Sequence, residues 1–333
     1  MNKFTKCYNP QFTLGGEEFA EQIFSLEHEG ELISEEGELK EHIIAFYKEL
    51  FWAKPPSKTH LSQDFWTDSH HLSEEESAWI IRPSTLEELD NVIKEAKLNT
   101  APGPDGFHVQ FYKTFWQELR GDLFEMLILL HNNELNLKRL NYGIISLIHK
   151  IKEAANIKQY RPICVLNDCF KFLAKVVTNR LTVVANNVIS HTQTAFIPGR
   201  FILEGCITLH ETLHELHKHN LKGAVFKIDF EKAYNRVSWD FLFEVLDRKK
   251  FPPTWINWIK ACVQGGRVCV NINGERSEFF STYRGLRQGD PLSPLLFNLV
   301  SDALAKIFEN AKAANLLSRL ITNLLPVGLT HLL

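Results

Sequence analysis

The dipeptide Asn273-Gly274 lies between two alternating runs, residues 267–271 and 277–282. Asn-Gly favours the two-residue type I′ turn, whose central residues both need positive φ and whose twist matches that of the flanking strands. An antiparallel pair is therefore built into the chain here. On either side the period is helical, over residues 239–247 and 255–263 before the pair and 292–314 after a Gly-rich loop. A hairpin embedded among helices excludes an all-helical bundle. Without regular strand–helix alternation the chain is not a βαβ array either, which leaves α+β.

Further elements follow from the same patterns. Residues 36–52 place Leu39, Ile43, Phe46, Tyr47 and Leu50 on one helical face, and Pro55 and Pro56 end the run. A Ser84–Glu87 capping box opens a helix over 84–97. Two prolines and two glycines make 99–106 a loop. Helices are expected at 107–134, 168–188 and 202–218, and buried strands at 143–149 and 223–229. Residues 1–35 are Gly- and Glu-rich with weak periodicity, so loose packing is expected there. The organisation predicted is a helical, partly poorly ordered extension over 1–80 and one larger domain over 81–333.

Composition narrows the class. Of 333 residues, 44% are hydrophobic and 23% charged, which is a globular balance able to bury a core. Six cysteines without a CxxC pair are too sparse for a disulfide framework and point to a reducing compartment. No run of about 18 apolar residues spans a membrane, and residues 1–10 lack the apolar core of a signal peptide. The default location is nuclear or cytoplasmic. The net charge of -3 counts against a nucleic-acid protein, but charge is unevenly spread. The first hundred residues are acidic, while Lys138, Arg139, Lys150, Arg161, Lys171, Arg180 and Arg200 make the middle basic.

Four segments can carry chemistry. Asp229 closes an apolar run; it is either a metal-binding carboxylate or the N-cap of a helix expected from Glu231 onward. In residues 284–298, glycines precede an apolar helix. Arg287 and Gln288 could reach a nucleotide, or Asp290 could simply cap a helix with Pro291 at its first position. Lys150 and Arg161 flank a polar loop and are either phosphate ligands or a solvated surface. His210, Glu211 and His214 have HExxH spacing, read as a zinc site or as a polar helix face.

The order of these segments carries a resemblance. APGPDGF (101–107), YRPICVLN with KFLAKVVTNRL (160–181), QTAFIPGR (193–200), FKIDFEKAY (226–234) and RGLRQGDPLSPLLF (284–297) stand in the sequence of blocks of LINE-type (non-LTR) retrotransposon reverse transcriptases. The last two resemble that family's motifs A and B, and the spread is most similar to plant elements. The resemblance implies polymerase-type fingers and palm, with an antiparallel palm sheet and no thumb. It implies two-metal nucleotidyl transfer with Mg²⁺, an RNA template, a DNA primer and dNTPs, and it points to no protein partner.

Residue by residue, Asp229 matches the metal-binding aspartate and Phe230 the position whose backbone carbonyl helps hold the second ion. Tyr234 matches the residue that screens the sugar 2′ position; core packing is the alternative. Lys150 and Arg161 match positions near the triphosphate, although His149 stands where the family has proline. Gln288 and Gly289 match positions beside the templating base and incoming nucleotide. Asn235 replaces the family's aspartate, so an altered local hydrogen bond is expected. Residues 326–333 resemble the strand leading into motif C, whose paired aspartates do not follow. This chain is therefore expected to be a fragment that cannot polymerise alone. The alternatives are a non-catalytic RNA/DNA-binding remnant and an unstable pseudogene product.

Overall fold

The computed structural model describes residues 22–52, 60–66, 70–222, 225 and 227–316. The expected terminator at Pro55 and Pro56 and the segment 326–333 lie outside them. Strands β1 (Leu26–His28) and β2 (Glu31–Ile33) form a small hairpin. Helix α1 (Glu36–Leu50) comes next and buries Leu39, Ile43, Tyr47 and Leu50, as its period requires. Residues 22–35 are not loose. Leu26 is fully buried, the Asn273 side chain bonds both backbone groups of Ile23 (2.8 and 2.9 Å), and Glu27 N donates to Ala155 O at 2.7 Å. These partners lie more than a hundred residues away, which is why no local period announces them.

Helix α2 (Glu74–Ile80) is opened by a Ser73–Glu76 capping box. Helix α3 (Leu86–Glu95) starts one residue later than expected: Thr85 is the cap, with Glu88 as its reciprocal partner. The span expected as one helix is two, α4 (Val109–Thr114) and α5 (Trp116–His131), broken at Phe115 where ψ reaches 28°. Strand β3 (Tyr142–His149) pairs with β4 (Tyr160–Leu166), then come α6 (Asp168–Val188) and α7 (Ile202–Lys218). Helices α8 (Trp239–Arg248) and α9 (Pro253–Val263) lead to β5 (Arg267–Ile272), β6 (Glu275–Arg276), β7 (Phe280–Ser281) and α10 (Ser293–Ala313).

The hairpin turn forms as its dipeptide demands, with φ 51° at Asn273, 95° at Gly274, and Ile272 paired to Glu275. The larger sheet runs β4-β3-β5-β6, with β7 also on β5. It is mixed rather than antiparallel, because β3 lies parallel to β5. The long connection through α6–α9 permits this, since parallel neighbours need a crossover. Strand β4 follows the polar loop, in a segment for which no element is expected from sequence. Its burial alternates, with Tyr160, Pro162, Cys164 and Leu166 inward and Arg161 outward, and Pro162 is tolerated because β4 is an edge.

Of the buried strand expected over 223–229, Gly223, Ala224 and Phe226 lie outside the described residues. Residues 227–230 join no ladder, and Val225, Ile228 and Phe230 are exposed. An extended segment becomes a strand only when another backbone satisfies its N–H and C=O groups, and no described segment does so here.

The buried apolar residues from Ile23 to Ala303 form one cluster, so residues 22–52 share a single core with the larger domain. Arg180 is held inside it by the Glu88 carboxylate (2.9 and 2.8 Å) and by the carbonyls of Ile80, Arg82 and Pro83. Asp302 accepts from Lys249 Nζ (2.6 Å), Trp66 Nε1 (2.9 Å) and Ser190 N (2.7 Å), tying α10 to α8 and to the end of α6. No helix among the described residues is long and apolar enough to cross a membrane.

Candidate active site

Cys164 N on β4 donates to Gln288 O at 2.7 Å, and this bond positions the glycine loop before α10. Gly289 has φ +123°, and a Cβ there would stand 2.3 Å from Cys164 O, so the loop can lie on the strand only because that side chain is missing. On its other side the loop meets the turn after Asp229. Leu286 N donates to Tyr234 O (2.7 Å) and Gly285 N to Val237 O (2.8 Å). Gly285 (φ +88°) approaches the backbone so closely that a Cβ would be 2.5 Å from Asn235 O. Trp239 Nε1 donates to Gly285 O at 2.9 Å. Three segments remote in sequence thus share one hydrogen-bonded unit.

Tyr234 is half-buried and its ring stacks on Phe297 at 4.7 Å with planes 14° apart; burial pushes its phenol pKa up. Lys150 continues the β3–β4 ladder, with its N donating to Gln159 O and its Nζ to Lys158 O, both at 2.8 Å. Arg161 pairs with Ile148, two residues before Lys150, so the two cations are diagonal neighbours on one face. Asp229 and Phe230 stay exposed, and Asp229 makes no ion pair with a described residue.

Several expectations change. Arg287 does not reach outward; it is 7% exposed, lies over Phe170 (4.9 Å), and donates to Asn141 Oδ1, Cys262 O and Asp290. Asp290 does not cap a helix at Pro291. Helix α10 begins at Ser293, and Asp290 Oδ1 accepts from Leu292 N at 2.9 Å. Arg200 is consumed by carbonyls of Asn186, Ile189, Ser190 and Gln193, so it braces its own loop. Asn235 is 1% exposed, and neither polar atom of its amide has a partner. His210, Glu211 and His214 lie exposed on α7, and no group of three His, Cys, Asp or Glu able to hold a metal occurs among the described residues.

Sequence reasoning passed over Lys232. It takes a left-handed φ of 52°, and its Nζ lies 4.3 Å over the Phe46 ring with no hydrogen-bond partner. Burial, then the charges of Lys150, Arg236 and Lys158, pull its pKa down to about 8, with Glu231 opposing. Its position three residues after Asp229 was the only available signal, because α1 supplies the ring.

The comparisons bear on this unit directly. Residues 148–322, just over half of the chain, match the model of the family described as "Reverse transcriptase (RNA-dependent DNA polymerase)". The chain belongs to the reverse transcriptase family. Its relatives include the transposon TX1 uncharacterized 149 kDa protein of Xenopus laevis, 29% identical over 78% of this chain and 20% of the relative. The Pol polyprotein of the type-2 retrotransposable element R2DM of Drosophila melanogaster is 25% identical over 83% of this chain and 25% of its own length. The RNA-directed DNA polymerase of the mobile element jockey, from the same fly, is 26% identical over 65% and 24%. The chain therefore spans about a fifth to a quarter of the curated relatives it matches. These relatives support the LINE-type resemblance read from the motifs.

The Tyr234 turn and the Gly285–Gly289 loop both lie within the matched residues 148–322. The metal donors available are few. Asp229 and the Phe230 carbonyl stand together, but no second described carboxylate joins them, and no Asp-Asp dipeptide occurs in the sequence. One carboxylate does not fit a pair of Mg²⁺ ions about 3.5–4 Å apart.

Proposed function

We propose that this chain is the template- and nucleotide-holding part of an RNA-directed DNA polymerase of a non-LTR retrotransposon, with fingers formed around β3 and β4 and a palm around Asp229 and α10. The supporting observation is the pair of 2.7 Å backbone bonds, Cys164 N to Gln288 O and Leu286 N to Tyr234 O, that fixes the motif B loop between basic hairpin and motif A turn. In this reading Arg161 grips the triphosphate of a dNTP bidentately and Lys150 neutralises it as a point charge. Tyr234, braced by Phe297, stands against the sugar 2′ position and disfavours ribonucleotides. Gln288 and Gly289 lie along the templating base, and Gly289 lets the loop rest on β4.

Asp229 with the Phe230 carbonyl is one corner of a Mg²⁺ site. A polypeptide of these 333 residues alone is expected to hold an RNA–DNA hybrid without extending its primer. The decisive measurement is anisotropy of a labelled RNA–DNA hybrid across salt. Binding should weaken steeply from about 50 to about 200 mM as phosphate contacts release counterions. K150Q/R161Q should lose dNTP affinity while the fold is retained. Salt-insensitive binding, or an indifferent K150Q/R161Q variant, would count against the assignment, and primer extension would refute the inactivity.

A second reading is favoured by one observation. Val225, Ile228 and Phe230 leave apolar side chains exposed on an unpaired segment, as in a marginally stable remnant with no activity. Broad, non-cooperative thermal unfolding would support it.

A further inference from the structure

At the end of β3 away from Lys150 the surface opens into a groove of about 420 Å³. Seven residues of strand separate Tyr142 from His149, so the groove lies about 23 Å from the triphosphate end of the sheet. Lys138, Arg139 and Arg267 line it, together with Tyr142 and Tyr283, and Trp239 forms part of its wall. The three cations are exposed, and none forms an ion pair with a described carboxylate. In a chain of net charge -3, three unneutralised cations around one concavity create a local positive potential against the trend.

The rings supply the second part. Arg267 lies over the Tyr142 face with Cζ 5.9 Å from its centroid, which holds guanidinium and phenol as a stacked pair. Tyr283 is 47% exposed and meets Trp52 edge to face at 5.3 Å. Cations to track a phosphate backbone beside an exposed ring, here Tyr283, are what sequence-tolerant single-strand binding needs. An acidic peptide would use the charges and leave the rings idle. The groove is also joined to the motif B loop, since Trp239 Nε1 bonds Gly285 O and Asn141, next to Tyr142, receives Arg287.

We propose that this groove binds a single-stranded nucleic-acid segment, its phosphates on Lys138, Arg139 and Arg267 and a base against Tyr283. This rests on the polymerase reading above and adds to it a second contact on the same nucleic acid, remote from Asp229.

The test uses the full chain and a fluorescent RNA oligonucleotide of about 12 nucleotides, read by anisotropy across salt. K138Q/R139Q/R267Q should flatten the log–log salt slope by about 2, at about 0.7 for each phosphate no longer neutralised. Tyr283→Ala, at an exposed position, should lower affinity about tenfold. Both variants should keep dNTP binding, which K150Q/R161Q removes. An unchanged slope in the triple variant overturns the proposal, as does equal competition by polyglutamate. Absence of single-strand binding, with hybrid binding intact, overturns this inference alone, whereas absence of both overturns the functional reading as well.

Discussion

Asp302 and Lys249 form an ion pair with side chains 1% and 0% exposed, and their separation on separate helices makes them a sensitive probe of the packing between α10 and α8. Lys249 Nζ also donates to Val188 O at 2.6 Å and lies 4.2 Å over the Trp66 ring. In D302N the ammonium stays buried facing a neutral amide, and breaking a buried pair from one side costs about 3–5 kcal/mol. K249M strands the carboxylate at similar cost. With both charges gone there is no uncompensated ion left, so the double variant should lose at least about 2 kcal/mol less than the sum of the single losses. Urea titration followed by Trp fluorescence reads this out. With m about 3 kcal/mol/M, each single variant should lower the midpoint by about 1 M or more at unchanged m.

A pH effect of definite sign accompanies this. Burial holds the Lys249 pKa below its ordinary value, and Asp302 works against that. Without Asp302 the depression deepens, so folded D302N binds fewer protons than unfolded chain and its stability rises with pH. Its deficit relative to the parent should therefore narrow as pH rises up to the parent's own depressed Lys249 value, above which both gain stability alike. Additive losses, or a deficit flat in pH, would refute the reasoning.

Three further outcomes are expected. Gly289→Ala puts a Cβ 2.3 Å from Cys164 O, so the Cys164 amide should lose hydrogen-exchange protection and dNTP binding should fall, while a protected amide would show that the loop does not depend on that approach. Lys232→Met removes a half-buried ammonium whose pKa is pulled down to about 8; a base depressed in the fold contributes stability that is lost as pH falls through that value. The variant should thus melt higher than the parent at pH 7, and the gap should close as pH rises past about 10; a variant that melts lower at pH 7 would contradict this. Gly274→Ala places a side chain at φ 95° and should cost about 1–2 kcal/mol in urea unfolding, whereas a neutral result would mean that the turn relaxes freely.

Local signals were legible wherever the cause was local. The Asn273-Gly274 turn, the face of α1 and the bounds of α6 and α7 follow from turn stereochemistry and helical period, which act within a few residues. The ordered blocks likewise carried the family, because motif order is a property of the chain itself. Where two neighbouring signals competed, sequence chose wrongly by a residue or two. Thr85 displaced Ser84 as a cap because Ser84 lies beside Arg180, ninety-six residues on.

Whatever depended on a distant partner was decided only by the tertiary structure. Strand β4 needed β3 beside it to outweigh Pro162, and β3 became parallel to β5 only through the intervening helices. The described residues 227–229 have a strand's composition yet join no ladder, and composition cannot provide a neighbour's carbonyls. Arg287 read as a candidate ligand but faces inward, because the Cys262 carbonyl and Asn141 Oδ1, from other segments, claim its donors, while Arg200 is taken up by carbonyls of its own loop. Lys232 was unremarkable until α1 set an aromatic ring beneath it. Sequence thus determined the local backbone preferences and the family, while long-range hydrogen bonds and packing decided which charged side chains remain available for nucleic acid.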